Sequence, residues 1–182
     1  SKEVHKVSQK VKNLVADLLD TMYAQNGVGL AAPQIGENYR VFVIDVSTGN
    51  EPLNPIVVIN PKIIKKSGAV ISHEGCLSFP EAFTDVRRYS DVMVKAMDRN
   101  GRSFVLEAKD GSLLARAIQH EFDHLDGILF IDHVINRFEA EEVLKKFNLP
   151  PIQIEKLLDE PELEAKIEEL LKQKVKSEEK ND

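Results

Sequence analysis

Residues 119–127 read QHEFDHLDG, which sets His120 and His124 four positions apart with Glu121 beside the first. The surrounding run SLLARAIQHEFDHL lacks proline and internal glycine, carries Leu113, Ala117, Ile118 and Phe122, and stops at Gly127. That pattern predicts a helix. Residues four apart on a helix share a face one turn from each other, so two imidazoles can grip one ion. Glu121 then points to the neighbouring face, close enough to touch a water on that ion without being a ligand. An arbitrary pair of histidines at this spacing is more simply a hydrogen-bonded surface pair. The intervening glutamate, arranged as H-E-x-x-H, turns the weight toward metal chemistry, because a general base is needed in that place.

Two histidines do not complete a site. A catalytic centre of this type takes three protein ligands and keeps one position for water. The segment EGCLSFP, residues 74–80, offers Cys76, the only cysteine in the chain. A cysteine in an apolar setting is more often a small buried hydrophobe. Beside a two-histidine helix, however, Cys-His-His plus water is the simplest closed account. His73, His133, Asp126 and Asp132 are alternative third ligands and rank below it. A single cysteine also excludes an intramolecular disulfide and suits a reducing compartment.

A third segment, GVGLAAPQIG at residues 27–36, superficially meets the dinucleotide fingerprint through Gly27, Gly29 and Ala32. That fingerprint must follow a strand and open a helix, whereas this one follows a helix and meets Pro33. It reads instead as a tight loop whose glycines allow close approach of backbone or substrate, with Gln34 offering an amide donor.

The rest of the chain reads as an organised core with a looser tail. Apolar residues from Val7 to Met22 recur at helical spacing and predict a helix over 7–25. RVFVIDV (40–46), IVVIN (56–60) and AVIS (69–72) are β-branched runs bounded by Gly, Pro and Asn, hence strands. Asn100-Gly101 supplies positive φ and predicts a hairpin with strands near 91–97 and 103–108. After Phe130 the composition drifts to Glu, Lys and Leu. ELEAKIEELLKQKVK, with Leu163, Ile167, Leu170 and Leu171 on one side, predicts a helix folded back on its own domain or offered to a partner. Residues from about 176 onward read as disordered.

Composition sets further limits. The 182 residues suit one domain with an appendage, and the net charge of -6 argues against a DNA-binding face. No apolar run approaches the roughly 18–20 residues of a membrane span, and the N-terminus SKEVHKVSQK has no signal-peptide core. A soluble, cytoplasmic protein with no membrane partner is expected.

Together the three segments resemble the signature motifs of the peptide deformylase family, in that family's order and with similar separations. The resemblance covers residues 1 to about 137. It implies a compact α+β fold, with antiparallel or mixed strands around a central HExxH helix, and leaves 138–182 as a charged, helical C-terminal extension. It implies one divalent metal ion on Cys76, His120 and His124, iron(II) natively, with zinc, nickel or cobalt as alternatives. The activity implied is removal of the N-formyl group from the initiator methionine of nascent polypeptides, near the ribosome, in a cytoplasm of bacterial type or an organelle. Glu121 would be the general base, with the Gln34 amide and the backbone N–H of Leu77 receiving the oxyanion. Gly29 would meet the peptide backbone. Val28 and Leu113 are candidates for the methionine pocket and equally for the core.

The chain departs from the family pattern in places. It starts at Ser1 and lacks the short N-terminal strand expected there, as a trimmed protein would. Where some members carry an arginine after the EGCLS motif, Phe83 stands instead. Asp123, between the histidines, is expected to pair with Arg88 or a nearby cation and so steady the loop bearing Cys76. The competing functions fit less well. A zincin-like metallopeptidase would add a downstream His or Glu ligand and no cysteine, and a non-catalytic metal-binding module would have no use for Glu121 or Gln34.

Overall fold

The computed structural model describes residues 1–49, 51–150 and 161–178. In chain order the elements are α1 (Gln9–Ala24), β1 (Gly29–Ala31), a 3-10 turn (Ala32–Ile35), β2 (Val41–Ile44), β3 (Ile56–Ser67), β4 (Val70–Cys76), β5 (Phe79–Arg88), β6 (Asp91–Met97) and β7 (Ser103–Ala108). Then follow α2 (Leu113–Asp126), a second 3-10 turn (Phe130–His133), α3 (Arg137–Lys146) and α4 (Pro161–Glu178).

Strand β2 decides the layering, because VFVI is buried at every position. Alternate side chains leave a strand on opposite faces, so a fully buried strand must be covered on both. Val41 and Val43 pack with Val11, Leu14 and Leu18 of α1, while Phe42 and Ile44 pack with Ile118 and Leu125 of α2. The sheet between these helices runs β1-β2-β3-β6-β7, antiparallel throughout. Each fully buried Leu or Ile contributes roughly 1.5–3 kcal/mol relative to exposure. Helix α4 sets Leu163 and Ile167 into the same cluster as α2, and Glu164 meets Arg87 at 3.1 Å. The amphipathic tail segment thus folds back on its own body. Among the described residues no helix is long and apolar enough to cross a membrane.

A second sheet, the antiparallel pair β4-β5, stands apart from the first. Its apolar side, with Phe79 and Val86, packs on Phe130, Ile131, Val143 and Leu144. This hairpin matters because its closed end carries Cys76.

The structure corrects several expectations. GVGLAAPQIG is not simply a loop. Its Gly29–Ala31 pairs with Phe42–Ile44, and the following 3-10 turn ends at Gly36 with φ 83°. Small residues can take an edge-strand position there because Leu30, Ala31 and Ala32 are buried against the core. Strand 69–72 extends to Cys76 and pairs with β5, which had no strand signal over most of its length. The alternation in β5 is disguised because its buried positions include Thr84 and Arg88, each 1% exposed. In the β6-β7 hairpin only Gly101 adopts positive φ. The turn is held by Asp98, whose Oδ1 accepts from the N–H groups of Asn100 and Arg102 at 2.8 and 2.9 Å. Helix α4 continues through Glu178, past the point where order was expected to end; residues 179–182 lie outside the described residues.

Candidate metal centre

Helix α2 is fixed at both ends. Ser112 Oγ accepts from Ala115 N–H, and Gly127 closes the helix at φ 76°, where a residue with Cβ would be strained. In its middle, Gln119 locks the register: its Nε2 donates to Tyr89 O at 2.8 Å and its Oε1 accepts from Tyr89 N–H at 3.0 Å. His120 and His124 are thereby carried to the end of the β4-β5 hairpin. Cys76 sits where the hairpin register shifts after Gly75, and its Sγ lies 3.3 Å from His124 Nε2. A Cβ at Gly75 would stand 2.5 Å from Phe83 Cε1, so any side chain there would have to displace the Phe83 ring. One donor atom each from Cys76, His120 and His124 lies within 4.8 Å of the others, and the two imidazoles meet edge-to-face at 4.9 Å.

An ion-pair chain stands behind these donors. His120 Nδ1 is 3.2 Å from Glu74 Oε2, leaving Nε2 available as a ligand. Arg88, 1% exposed, grips the Glu74 carboxylate through Nε at 3.1 Å and Nη2 at 2.9 Å, and reaches Asp123 with Nη1. The expected Asp123–Arg88 pair is present. His133 Nε2 lies 2.9 Å from Asp123 Oδ2, though not aligned for a hydrogen bond. Burial pushes the Glu74 carboxyl up, but Arg88 and then His120 outweigh it and hold the group well below the usual carboxylate range. For Asp123, burial is likewise overcome by Arg88 and His133.

Glu121 is the contrasting carboxylate. It is 4% exposed, and its Oε2 has no hydrogen-bond partner among the described residues. Burial drives its pKa well above the ordinary value; Arg88 opposes this, while Asp123 and Glu74 add to it. A Cβ on Gly29 would fall 2.4 Å from Glu121 Oε1, so glycine there makes room for the carboxylate. The protein alone leaves this centre electrostatically incomplete. Burial raises the Cys76 thiol to about 11 and lowers His124 to about 3.

A divalent cation fits that deficit. It would replace the thiol proton, use the neutral imidazole and face the orphaned carboxylate oxygen. Tetrahedral coordination with bonds of about 2.3 Å to sulfur and 2.0–2.1 Å to nitrogen sets S and N about 3.6 Å apart. The 3.3 Å between Cys76 and His124 is close to that. Sulfur with two imidazoles is a donor set for iron(II) or zinc.

The other expected residues gather around one cleft of about 500 Å³. Gln34 is oriented by Ala31 N–H, which donates to its Oε1 at 2.8 Å; its Nε2 then reaches Ser78 Oγ at 3.1 Å and Cys76 Sγ at 3.6 Å. Gly29, Leu77, Val28 and Leu113 also line the cleft, the last two 36% and 39% exposed, so they are wall rather than core. The rival third ligands are engaged elsewhere. His73 pairs with Asp85, Asp126 with Arg40, Asp132 accepts from Leu129 N–H, and His133 faces Asp123. Glu74 went unnoticed in the sequence although it opens the EGC segment; a carboxylate two residues before a candidate ligand was the available signal. Gln119, preceding His120, was missed because its partner is a main-chain segment distant in sequence.

Comparison with known proteins agrees across sequence and structure. The family model described as Polypeptide deformylase matches residues 1–140. "Peptide deformylase 1" of Clostridium perfringens is 49% identical over 130 residues, 71% of this chain and 85% of that one. A crystal structure of a Synechococcus elongatus peptide deformylase in complex with actinonin superposes with TM-score 0.75 at 43% identity, covering 82% of this chain and 81% of that one. The Thermus thermophilus peptide deformylase gives TM-score 0.71 at 40% identity, over 81% and 84%.

Proposed function

The chain belongs to the polypeptide deformylase family, whose members remove N-formyl groups from nascent peptides, and from that premise we propose how its own residues do so. Cys76, His120 and His124 hold one divalent cation, iron(II) in the native enzyme, with zinc, nickel or cobalt able to substitute. Bound there, the ion supplies a Lewis acid and lowers the pKa of water toward about 7. Val28 and Leu113 receive the methionine side chain, and the Gly29 backbone meets the peptide. Gln34 Nε2 and the Leu77 N–H donate to the oxyanion as the formyl carbonyl becomes tetrahedral, where one lost donor costs about 10²–10³ in rate. Glu121, buried with Oε2 unpartnered among the described residues, takes a proton from the attacking water and delivers it to the departing amine. Glu74, held by Arg88, fixes the ring of His120.

The convergence of three donors within 4.8 Å carries this reading. The enzyme acts on chains emerging at the ribosome, in a cytoplasm of bacterial type; residues 1–137 form the catalytic unit, and α3 and α4 belong to the C-terminal extension that follows it. The test is metal analysis of anaerobically prepared protein with formate release from formyl-Met-Ala. One equivalent of iron, formate release and loss of both in Cys76→Ala are expected. Full metal retention in Cys76→Ala would remove the sulfur from the ligand set. Iron-loaded protein should also lose activity in air as Cys76 oxidises, while zinc-loaded protein survives.

A further inference from the structure

A second concavity, about 610 Å³, lies between β5 and α3. It shares Glu81 and Phe83 with the catalytic cleft, so the two adjoin at these residues. Its floor is Ala82 and Val143, both buried, and its walls are Phe83 and Phe138, which are 62% and 79% exposed. Two phenylalanines this exposed on one groove are unusual for a surface with no occupant. The rim carries Glu81, Glu139 and Glu142 against Lys146, three carboxylates to one ammonium.

The junction is built rather than incidental. The hairpin register slips beside Cys76, and Glu81 takes a φ of 59°, a conformation that L-residues adopt at a cost. Lys146 Nζ donates to Glu81 O at 3.5 Å, tying α3 to this bulge, and Thr84 Oγ1 with Asn136 Nδ2 donate to Glu139. Phe83 stands over Gly75 and stacks on His73 at 5.8 Å, so its ring is held between the cleft and the groove, both of which it lines.

We infer that this groove takes the downstream residues of the formyl-peptide itself, beyond the second position, and favours an apolar side chain followed by lysine or arginine. The inference rests on the deformylase reading. A substrate whose formyl group lies at Cys76 and whose methionine fills the cleft must leave it across one of its walls. At about 3.3 Å per extended residue, a few residues carry it past Phe83 to Phe138. The apolar floor and aromatic walls bury an aliphatic side chain, and the carboxylate rim attracts cationic ones.

The test compares kcat/KM for formyl-Met-Ala, for a formyl-Met hexapeptide with leucine and lysines at positions four to six, and for the same peptide with glutamates there. With wild-type enzyme the basic hexapeptide should exceed both others by about tenfold at low salt, a modest hot-spot effect. In Phe138→Ala the ratio of basic hexapeptide to dipeptide should fall toward one, and in Glu142→Lys, which leaves two carboxylates against two ammonium groups on the rim, the preference for lysines over glutamates should vanish. Phe138 and Glu142 are exposed, so neither change threatens the fold. Equal kcat/KM for all three substrates in wild type, or a length gain that survives Phe138→Ala, would overturn the inference and leave the deformylase reading intact. No formate from any substrate would overturn both.

Discussion

Helices α1 and α2 cover opposite faces of the same sheet, yet they bury different chemistry. The interior side of α1 is Val11, Leu14, Val15, Leu18 and Met22, apolar without exception. That of α2 includes Ala115, Ile118 and Leu125 but also Gln119, Glu121 and His124. Burying an ionisable group without a matched partner costs several kcal/mol, so a fold selected for stability alone has no reason to do it. One helix therefore measures what the scaffold requires, and the other what the reaction adds.

The sharpest break in that comparison is Glu121→Gln. It keeps the shape and the three proposed cation ligands while removing the proposed proton carrier, so kcat/KM on a formyl-Met peptide should fall by about 10²–10⁴. Stability should hold or rise, because an orphaned buried carboxylate is replaced by a neutral amide. Near-normal turnover in metal-replete protein would show that Glu121 is not the base.

Next comes Arg88→Leu. Glu74 and Asp123 would lose their shared guanidinium inside the protein, a loss of about 3–5 kcal/mol measurable by urea denaturation. The same network fixes a pH dependence. Both carboxyls titrate below their unfolded values, so their stabilisation is complete above the ordinary carboxylate range. It is lost as pH falls from about 4.5 toward the folded values. Glu74→Gln should flatten the acid limb of a stability-pH curve; an unchanged limb would mean the pair does not govern acid unfolding.

On the other face, Leu18→Ala removes a fully buried side chain from α1. A loss of about 2–5 kcal/mol is expected, with kcat/KM of the folded fraction unchanged. A selective loss of turnover would blur the division between scaffold and site.

What the sequence disclosed follows the same line. Both helices were legible from periodicity, and the His120–His124 spacing from the H-E-x-x-H pattern, because those signals are local; Cys76, which the fold brings within 4.8 Å of them, stood out only as the single cysteine. Strand β5 was not, since the buried Arg88 and Thr84 on its inner face imitate a surface pattern, and only the distant Glu74, Asp123 and Glu139 make their burial tolerable. The short strand at Gly29 was hidden for a related reason. Its glycine exists to clear Glu121, some ninety positions on. The expected Asp123–Arg88 pair was legible as a charge match, whereas for Glu74 the sequence offered only a carboxylate two residues before Cys76, and its pairing with Arg88 follows from the β4-β5 register.

The smallest effect separates the helices at their first turns. Both begin after a serine, but Ser8 makes no side-chain cap, whereas Ser112 Oγ accepts from Ala115 N–H at 3.3 Å. A working serine cap is worth about 1 kcal/mol, and an idle one should cost only a few tenths when replaced by alanine. Ser112→Ala should therefore lower the urea midpoint clearly and Ser8→Ala barely. Activity should not follow. His120 and His124 sit two and three turns into α2, and the Gln119–Tyr89 hydrogen bonds hold that part of the helix whether or not its first turn frays. Equal losses in the two variants would mean that Ser112 does not cap the helix in solution. A fall in kcat/KM confined to Ser112→Ala would mean that the first turn of α2, with Leu113 on the cleft wall, shapes the cleft more than the burial of α2 alone provides.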